Sequence, residues 1–393
     1  KENTVTPSLT FTSILGNHTL LGGVQGYFTR LRETGLYVIS AEDEKTSPYY
    51  GVPYTSIGKK HANEIGFFVQ DEWNVTPKLT VVPGIRVDSH SSGEEYSTSV
   101  KVSDSAFPTT KFSKTTVNPR IAIKYELTPS LVLRANVGSG FRAPYGFSED
   151  LHLCSGSPRV WKSSNLKGER AISYNLSADY YAKKYQFSIN IFRTNLKDKI
   201  QFSPADDEVK KFGYSYQWEN VDDAYVQGVE LGAKANLFRN FTAGVNWTFN
   251  QGKFKHERAE WSDPNDETVK EFPQRLQYAK DSRNVSRFPA MTGDIDLDYT
   301  PGTWSFSLTS SLQGRMYIDY NSEDNGATSK IKKTNTFMLF NCRAAKRFGM
   351  CTVYAGAKNI FSYIQDEKHT DDAAFMYAPV YGATWYVGLS VKL

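Results

Sequence analysis

Apolar and polar residues alternate with a period of two along most of this chain. In Ile172–Tyr180, the residues Ile172, Tyr174, Leu176, Ala178 and Tyr180 alternate with Ser173, Asn175, Ser177 and Asp179. Tyr185, Phe187, Ile189 and Ile191 alternate with Gln186, Ser188 and Asn190. The same spacing recurs from Val229 to Asn236, from Phe241 to Phe249 and from Trp304 to Thr309. Successive side chains of a strand point to opposite faces, so each segment is a strand with one apolar and one polar face. A soluble antiparallel sandwich and a membrane barrel both carry this pattern. Asp294, Asp296 and Asp298 form one side of a strand whose other side is Ile295, Leu297 and Tyr299. Three carboxylates in a row suit a wet lumen, although on a sandwich they would face solvent.

The spacing of connections separates the two architectures. Short joins lie at Gly16-Asn17, Thr76-Pro77-Lys78, Thr128-Pro129-Ser130, Lys183-Lys184, Phe238-Arg239-Asn240, Pro301-Gly302 and Arg347-Phe348-Gly349. Pro, Gly and Asn are turn formers. Between these joins come long polar stretches near 32–61, 90–117, 143–170, 197–217, 252–288, 316–333 and 362–382. Short turns on one side and long loops on the other is the layout of an outer-membrane barrel, with the short turns periplasmic. The predicted fold is therefore all-β, a transmembrane antiparallel up-and-down β-barrel. The final strand, with Trp385, Val387, Leu389, Val391 and Leu393 on one face, fits a barrel whose last strand pairs with its first. About fifteen strands can be counted, whereas single-chain bacterial barrels have an even number. The odd count predicts that sequence precedes Lys1; a miscount by one would leave a sixteen-stranded porin.

Composition adds exclusions. Lys and Arg total 46 against 42 Asp and Glu, a net charge of +4 that is too small and dispersed for a nucleic-acid partner. Tyr and Phe stand at 24 each, with 7 Trp, which suits the aromatic girdles of a barrel. No run of eighteen apolar residues exists, so no transmembrane helix is predicted. Lys1-Glu2-Asn3-Thr4 is followed by no apolar signal-peptide core.

Several runs carry a family resemblance. Gly66-Phe67-Phe68-Val69-Gln70-Asp71-Glu72-Trp73, followed by Leu79 to Asp88, resembles a hairpin of TonB-dependent receptors. Asn118-Pro119-Arg120, Gly140-Phe141-Arg142-Ala143-Pro144 and Asn165-Leu166-Lys167-Gly168-Glu169-Arg170 are similar to the family's most recognisable stretch. Lys358-Asn359-Ile360-Phe361 matches its usual strand end. Ser148 to His152 and Asp371 to Pro379 resemble Bacteroidetes members. Leu393 departs from the pattern, standing where an aromatic is usual.

The resemblance implies a barrel of about 22 strands, of which residues 1–393 are the C-terminal ~15, with the N-terminal plug and first strands absent from this chain. It also implies TonB-dependent, energy-coupled import of a scarce ligand across the outer membrane of a Gram-negative bacterium. The partners implied are the TonB-ExbB-ExbD complex, acting through the missing N-terminal part, and outer-membrane lipid. A surface lipoprotein lid stays open.

Ligand identity is less legible. The boxes from Phe141-Arg142 to Asn165-Leu166 resemble those of haem receptors, with His152 between them as an iron ligand. Ferric siderophores and cobalamin remain alternatives. Arg142 and His152 are accordingly candidate ligand residues, and Tyr49, Tyr50, Tyr214, Tyr216 and Trp218 are candidates for an extracellular vestibule. Trp73, Tyr125, Tyr299, Trp304 and Trp385 fit the membrane girdles instead. Cys342 and Cys351 flank one short turn, either as a disulfide in an oxidising compartment or as small apolar side chains. Cys154 with His152 is too sparse a set for zinc, so no metal site and no intrinsic cofactor is expected. No catalytic residues are expected, because none of the six His lies in a nucleophile or metal motif. A passive porin and a barrel hydrolase are the alternatives. The 37-residue stretch 252–288 favours ligand capture over diffusion.

Overall fold

The computed structural model describes residues 1–38, 50–100, 106–146, 161–204, 206–210, 216–256, 283–285, 287–321, 329–365 and 378–392. It is built from strands apart from one helical turn, α1 (Asp207–Lys210). The first are β1 (Glu2–Val5), β2 (Ser8–Leu15), β3 (His18–Tyr37), β4 (Tyr54–Thr76) and β5 (Leu79–Thr98). Then come β6 (Thr110–Thr128), β7 (Leu131–Arg142), β8 (Trp161–Lys162), β9 (Glu169–Tyr181), β10 (Tyr185–Lys197) and β11 (Ile200–Pro204). β12 (Tyr216–Asn220), β13 (Ala224–Phe238), β14 (Phe241–Phe254), β15 (Met291–Tyr299) and β16 (Trp304–Gln313) follow. The last are β17 (Tyr317–Asn321), β18 (Ser329–Lys333), β19 (Phe337–Phe348), β20 (Cys351–Lys358) and β21 (Thr384–Val391).

Hydrogen bonding orders the main sheet β1-β3-β4-β5-β6-β7-β9-β10-β13-β14-β15-β16-β19-β20-β21, with β2 also on β3. β1 and β2 occupy one strand position. Val5 pairs with Phe28 and Ser8 with Gln25, so the register runs unbroken across Thr6-Pro7, and only the missing Pro N–H interrupts the ladder. The fifteen positions that result agree with the alternation.

Every short join predicted from sequence connects two adjacent strands, with the last two turns falling one residue later than expected, at Gly302-Thr303 and Gly349-Met350. Backbone φ is positive at Gly16, Asn240, Gly302 and Gly349, which these turns require. The long stretches differ from expectation in one respect. β3, β4, β5 and β6 run well into 32–61 and 90–117, pairing Tyr37 with Tyr54 and Ser56 with Thr98. There Leu36, Tyr54, Ile57, Tyr96 and Phe112 stand among runs of polar residues with no period of two, so no apolar alternation marks these extensions.

By contacts the chain forms two compact units. One comprises Lys1–Lys124, Asn136–Tyr174 and Thr194–Ala224; the other comprises Tyr125–Ala135, Asn175–Arg193 and Tyr225–Leu393. In the first, loop segments make a three-stranded sheet β11-β12-β8, and Tyr54, Ala106 and Phe107 form a small core. In the second, β17 and β18 form a hairpin, and Met316 and Phe337 pack with Leu339, Tyr363 and Ala378.

The apolar strand faces are not covered. Leu9 and Phe11 are 74% and 72% exposed, and Trp385 and Val387 are 75% and 79% exposed. A sandwich buries that face against a second sheet. A face this apolar and this open is matched to lipid, while the opposite face is wet. The β15 register agrees: Asp294, Asp296 and Asp298 oppose Asn246, Gly244 and Thr242 on one side, and Ser311, Thr309 and Ser307 on the other. The cysteines require a correction. Cys342 pairs with Ala357 and Cys351 with Phe348, six residues apart along the hairpin. At about 3.3 Å per residue their Cα atoms lie roughly 20 Å apart, far beyond disulfide reach. Both thiols are free.

Candidate functional site

β4 and β5 each turn every second side chain to the polar face, and their register sets one network there. Glu64 faces His90, and Phe68 faces Arg86. The Arg86 guanidinium donates to Asp88 Oδ1 at 2.6 Å, to Gln25 Oε1 at 2.7 Å and to Glu64 Oε1 at 3.2 Å. Asn118 Nδ2 donates to the other Asp88 oxygen at 3.1 Å. His90 lies 3.2 Å from Glu64 Oε2 through Nδ1 and 3.1 Å from Thr116 Oγ1 through Nε2. Its ring also packs 4.8 Å from Phe141. These groups were missed as a site because each strand was read alone. Arg86, Asp88 and His90 at every second position, opposite Glu64, carried the signal.

Four residues beyond His90 along β5, Glu94 is 1% exposed and anchors loop residues. Its Oε1 accepts from Lys162 Nζ at 2.6 Å and from the Gly146 N–H at 3.2 Å, and its Oε2 accepts from the Tyr96 hydroxyl at 2.8 Å. Lys162 belongs to β8, where it pairs with Trp218 of β12. Gly146 has φ +92°, and a Cβ there would stand 2.6 Å from the His61 carbonyl oxygen. Only glycine fits this approach without strain. The neighbouring Tyr145 hydroxyl donates to the Ser163 carbonyl at 2.7 Å and accepts from the Leu166 N–H at 3.0 Å. Burial pushes the Tyr145 phenol up to about 12, and the Glu94 carboxylate adds to that rise against the opposing Leu166 hydrogen bond. The loop strands are thus held down on the long-loop ends of β4 and β5 by a buried ion pair.

The predicted site residues divide. Trp218 lies in β12 between β8 and β11, and Tyr216 pairs with Pro204 in the same small sheet. Arg142 ends β7 with its side chain half exposed, Nη1 4.0 Å from Glu169 Oε2. Glu169 Oε2 also accepts the Ile200 N–H at 3.0 Å, which ties Arg142 to the start of β11. Arg142, Tyr216 and Trp218 therefore belong to one loop assembly. Tyr50 is half-buried at the start of the next described segment. His152, Tyr49, Tyr214 and Cys154 lie outside the described residues. Among the described residues no group of three His, Cys, Asp or Glu side chains is set to hold a metal.

An apolar face open to lipid, a polar inner face and a long-loop layer pinned by buried charge have a counterpart among known proteins. Residues 2–360 match the family described as TonB dependent receptor-like, beta-barrel. The chain belongs to this family. TonB-dependent receptors are β-barrels of the Gram-negative outer membrane, and that is where this chain resides. It is 26% identical over 208 residues to a ferric enterobactin receptor of Pseudomonas aeruginosa, covering 48% of this chain and 24% of that protein. It is 27% identical over 231 residues to the vitamin B12 transporter BtuB of Photobacterium profundum, covering 58% and 30%. In fold it is similar to the copper transporter OprC, with a TM-score of 0.69 and 17% identity over 99% of this chain and 56% of that one. The chain therefore spans a quarter to a third of these curated relatives' length. The named relatives are receptors and transporters, not enzymes.

Proposed function

We propose that this chain is the C-terminal part of the barrel of a TonB-dependent importer, with a plug and about seven further strands preceding it. Its ligand is a metal chelate of the ferric siderophore class, with cobalamin and haem as the competing cargoes. The family match over residues 2–360 is the observation that carries this reading. The loop assembly supports it: a half-exposed Arg142 guanidinium beside the β11-β12-β8 sheet offers a cation and the Trp218 strand to an anionic, aromatic chelate. Three relatives, from two organisms, are named for ferric enterobactin, whereas one is named for vitamin B12. Force from the TonB-ExbB-ExbD complex, applied to the N-terminal part, moves the plug, and a surface lipoprotein is the natural lid for the loop mouth. The lineage reading rests on Ser148–His152 and Asp371–Pro379.

Equilibrium binding to the purified full-length protein tests the ligand class, with ferric enterobactin, cyanocobalamin and haemin compared side by side. Tight binding of the ferric chelate that weakens about tenfold in Arg142→Ala is the expected result. Binding of haemin alone, lost in His152→Ala, would replace the siderophore reading with haem.

A further inference from the structure

On the lipid-facing side of the second unit, one track of small side chains runs between bulky ones. Register places Leu308 beside Cys342, and Phe306 beside Ala344, which in turn faces Ala355. The outward side chains Cys342, Ala344 and Ala355 at this level are small, between aromatic rows carried by β15 and β16 on one side and by Trp385 of β21 on the other. The result is an apolar trough of about 540 Å³ whose lining includes Tyr299, Phe306, Cys342, Ala344, Ala355 and Trp385. That volume falls in the range of pockets that hold small molecules, ~300–1,000 Å³.

A cation on the outward face stands just beyond the trough's lining, while Arg343, the cation in that lining, turns its guanidinium to the Tyr354 ring 4.7 Å away. Lys346 is the next outward residue of β19 after Ala344, three residues before the Gly349-Met350 turn, and it pairs with Trp304 and Val353. Its Nζ rests 4.6 Å from the Trp304 ring and 5.0 Å from the Phe348 ring, with no carboxylate partner among the described residues. Short turns of these barrels are periplasmic, so the ammonium sits at the headgroup level of the inner leaflet. From Lys346 to Cys342 the track runs about 13 Å along the strand, the scale of an acyl chain.

We propose that the trough is a binding site for one phospholipid of the periplasmic leaflet. Its acyl chain lies over Ala344 and Ala355, and its phosphate is held by Lys346. This rests on the family assignment and is independent of the imported ligand. Long cationic side chains at membrane ends reach for the interface in this way. The small side chains supply the rest, because an acyl chain gains contact there that a flat aromatic face would deny it.

The test uses the full-length protein in mild detergent micelles doped with phosphatidylethanolamine, observed by native mass spectrometry. Heat-modifiable gel mobility confirms that each variant is folded. Wild type is expected to retain one phospholipid. Ala344→Phe, which fills the trough, is expected to lower occupancy about tenfold. Lys346→Gln is expected to lower it about fivefold. Leu231→Phe, on the lipid face elsewhere, is expected to leave it unchanged. Equal retention in folded Ala344→Phe and wild type would overturn the site. So would retention of a second protein copy instead of lipid, or loss of lipid in Leu231→Phe to the same extent.

Discussion

Replacing Lys162 with Met leaves the Glu94 carboxylate buried without its ammonium partner. Breaking one side of such a pair costs about 3–5 kcal/mol. The loss is expected locally: amide exchange at Trp161–Lys162 and Tyr216–Asn220 should accelerate while β3 and β4 stay protected. Pairing Lys162→Met with Glu94→Gln should recover part of that protection, because the uncompensated charge is gone. Exchange unchanged in the single variant would contradict the pinning role. Tyr145 gives a pH signature for the same layer. Its phenol is raised to about 12 in the folded protein, against about 10 for an unperturbed tyrosine. The folded state thus holds this proton more tightly than the unfolded chain does. That contribution is whole below about pH 10 and is lost as the pH climbs toward about 12. Protection of the loop sheet should fall across this window in wild type, and the fall should shrink in Tyr145→Phe.

Each strand presents two solvents to its two faces, and neighbouring positions must respond oppositely to one substitution. Ile189 lies on the apolar face of β10, and Asn190 on the polar face donates to Glu230 at 2.9 Å. Arginine at 189 should cost ~2–4 kcal/mol of barrel stability, the penalty of a cation near the bilayer midplane. Arginine at 190 meets a carboxylate and should cost far less, as urea titration in lipid vesicles would report. Similar costs at both positions would contradict the assignment of faces.

Faces and short turns were legible in the sequence because period-two alternation and turn residues are local properties. The fifteen strand positions followed from the same signals, whereas the split of the first position at Pro7 emerged only from the register. The extensions of β3 to β6 were not legible, since above the membrane neither face needs apolar residues. The Glu94–Lys162 pair was hidden for a different reason: its partners are 68 residues apart and meet only once β8 docks. Cys342 and Cys351 misled because flanking a turn is not the same as facing across it. The sequence pairs Arg142 with His152, and Tyr216 with Trp218 as a separate vestibule group; that Arg142 reaches the β11-β12-β8 sheet through Glu169 was not legible, because the link forms only when the loop strands dock.

At the scale of the molecule, an apolar strand face, a charged opposite face and a pinned loop layer fit the proposed receptor for a ligand that diffusion cannot supply. On the proposed reading the strands supply barrel wall and the loop strands supply the mouth, while energy coupling belongs to an N-terminal part proposed to precede them. A passive porin of the same wall would fill its ligand across the membrane in proportion to concentration alone. The most direct measurement is uptake of radiolabelled ferric chelate by cells carrying only this full-length receptor, with and without a functional TonB protein and a proton gradient. The account predicts accumulation against a gradient that stops when either is removed, while surface binding persists. Uptake that continues unchanged without TonB or the proton gradient would contradict it.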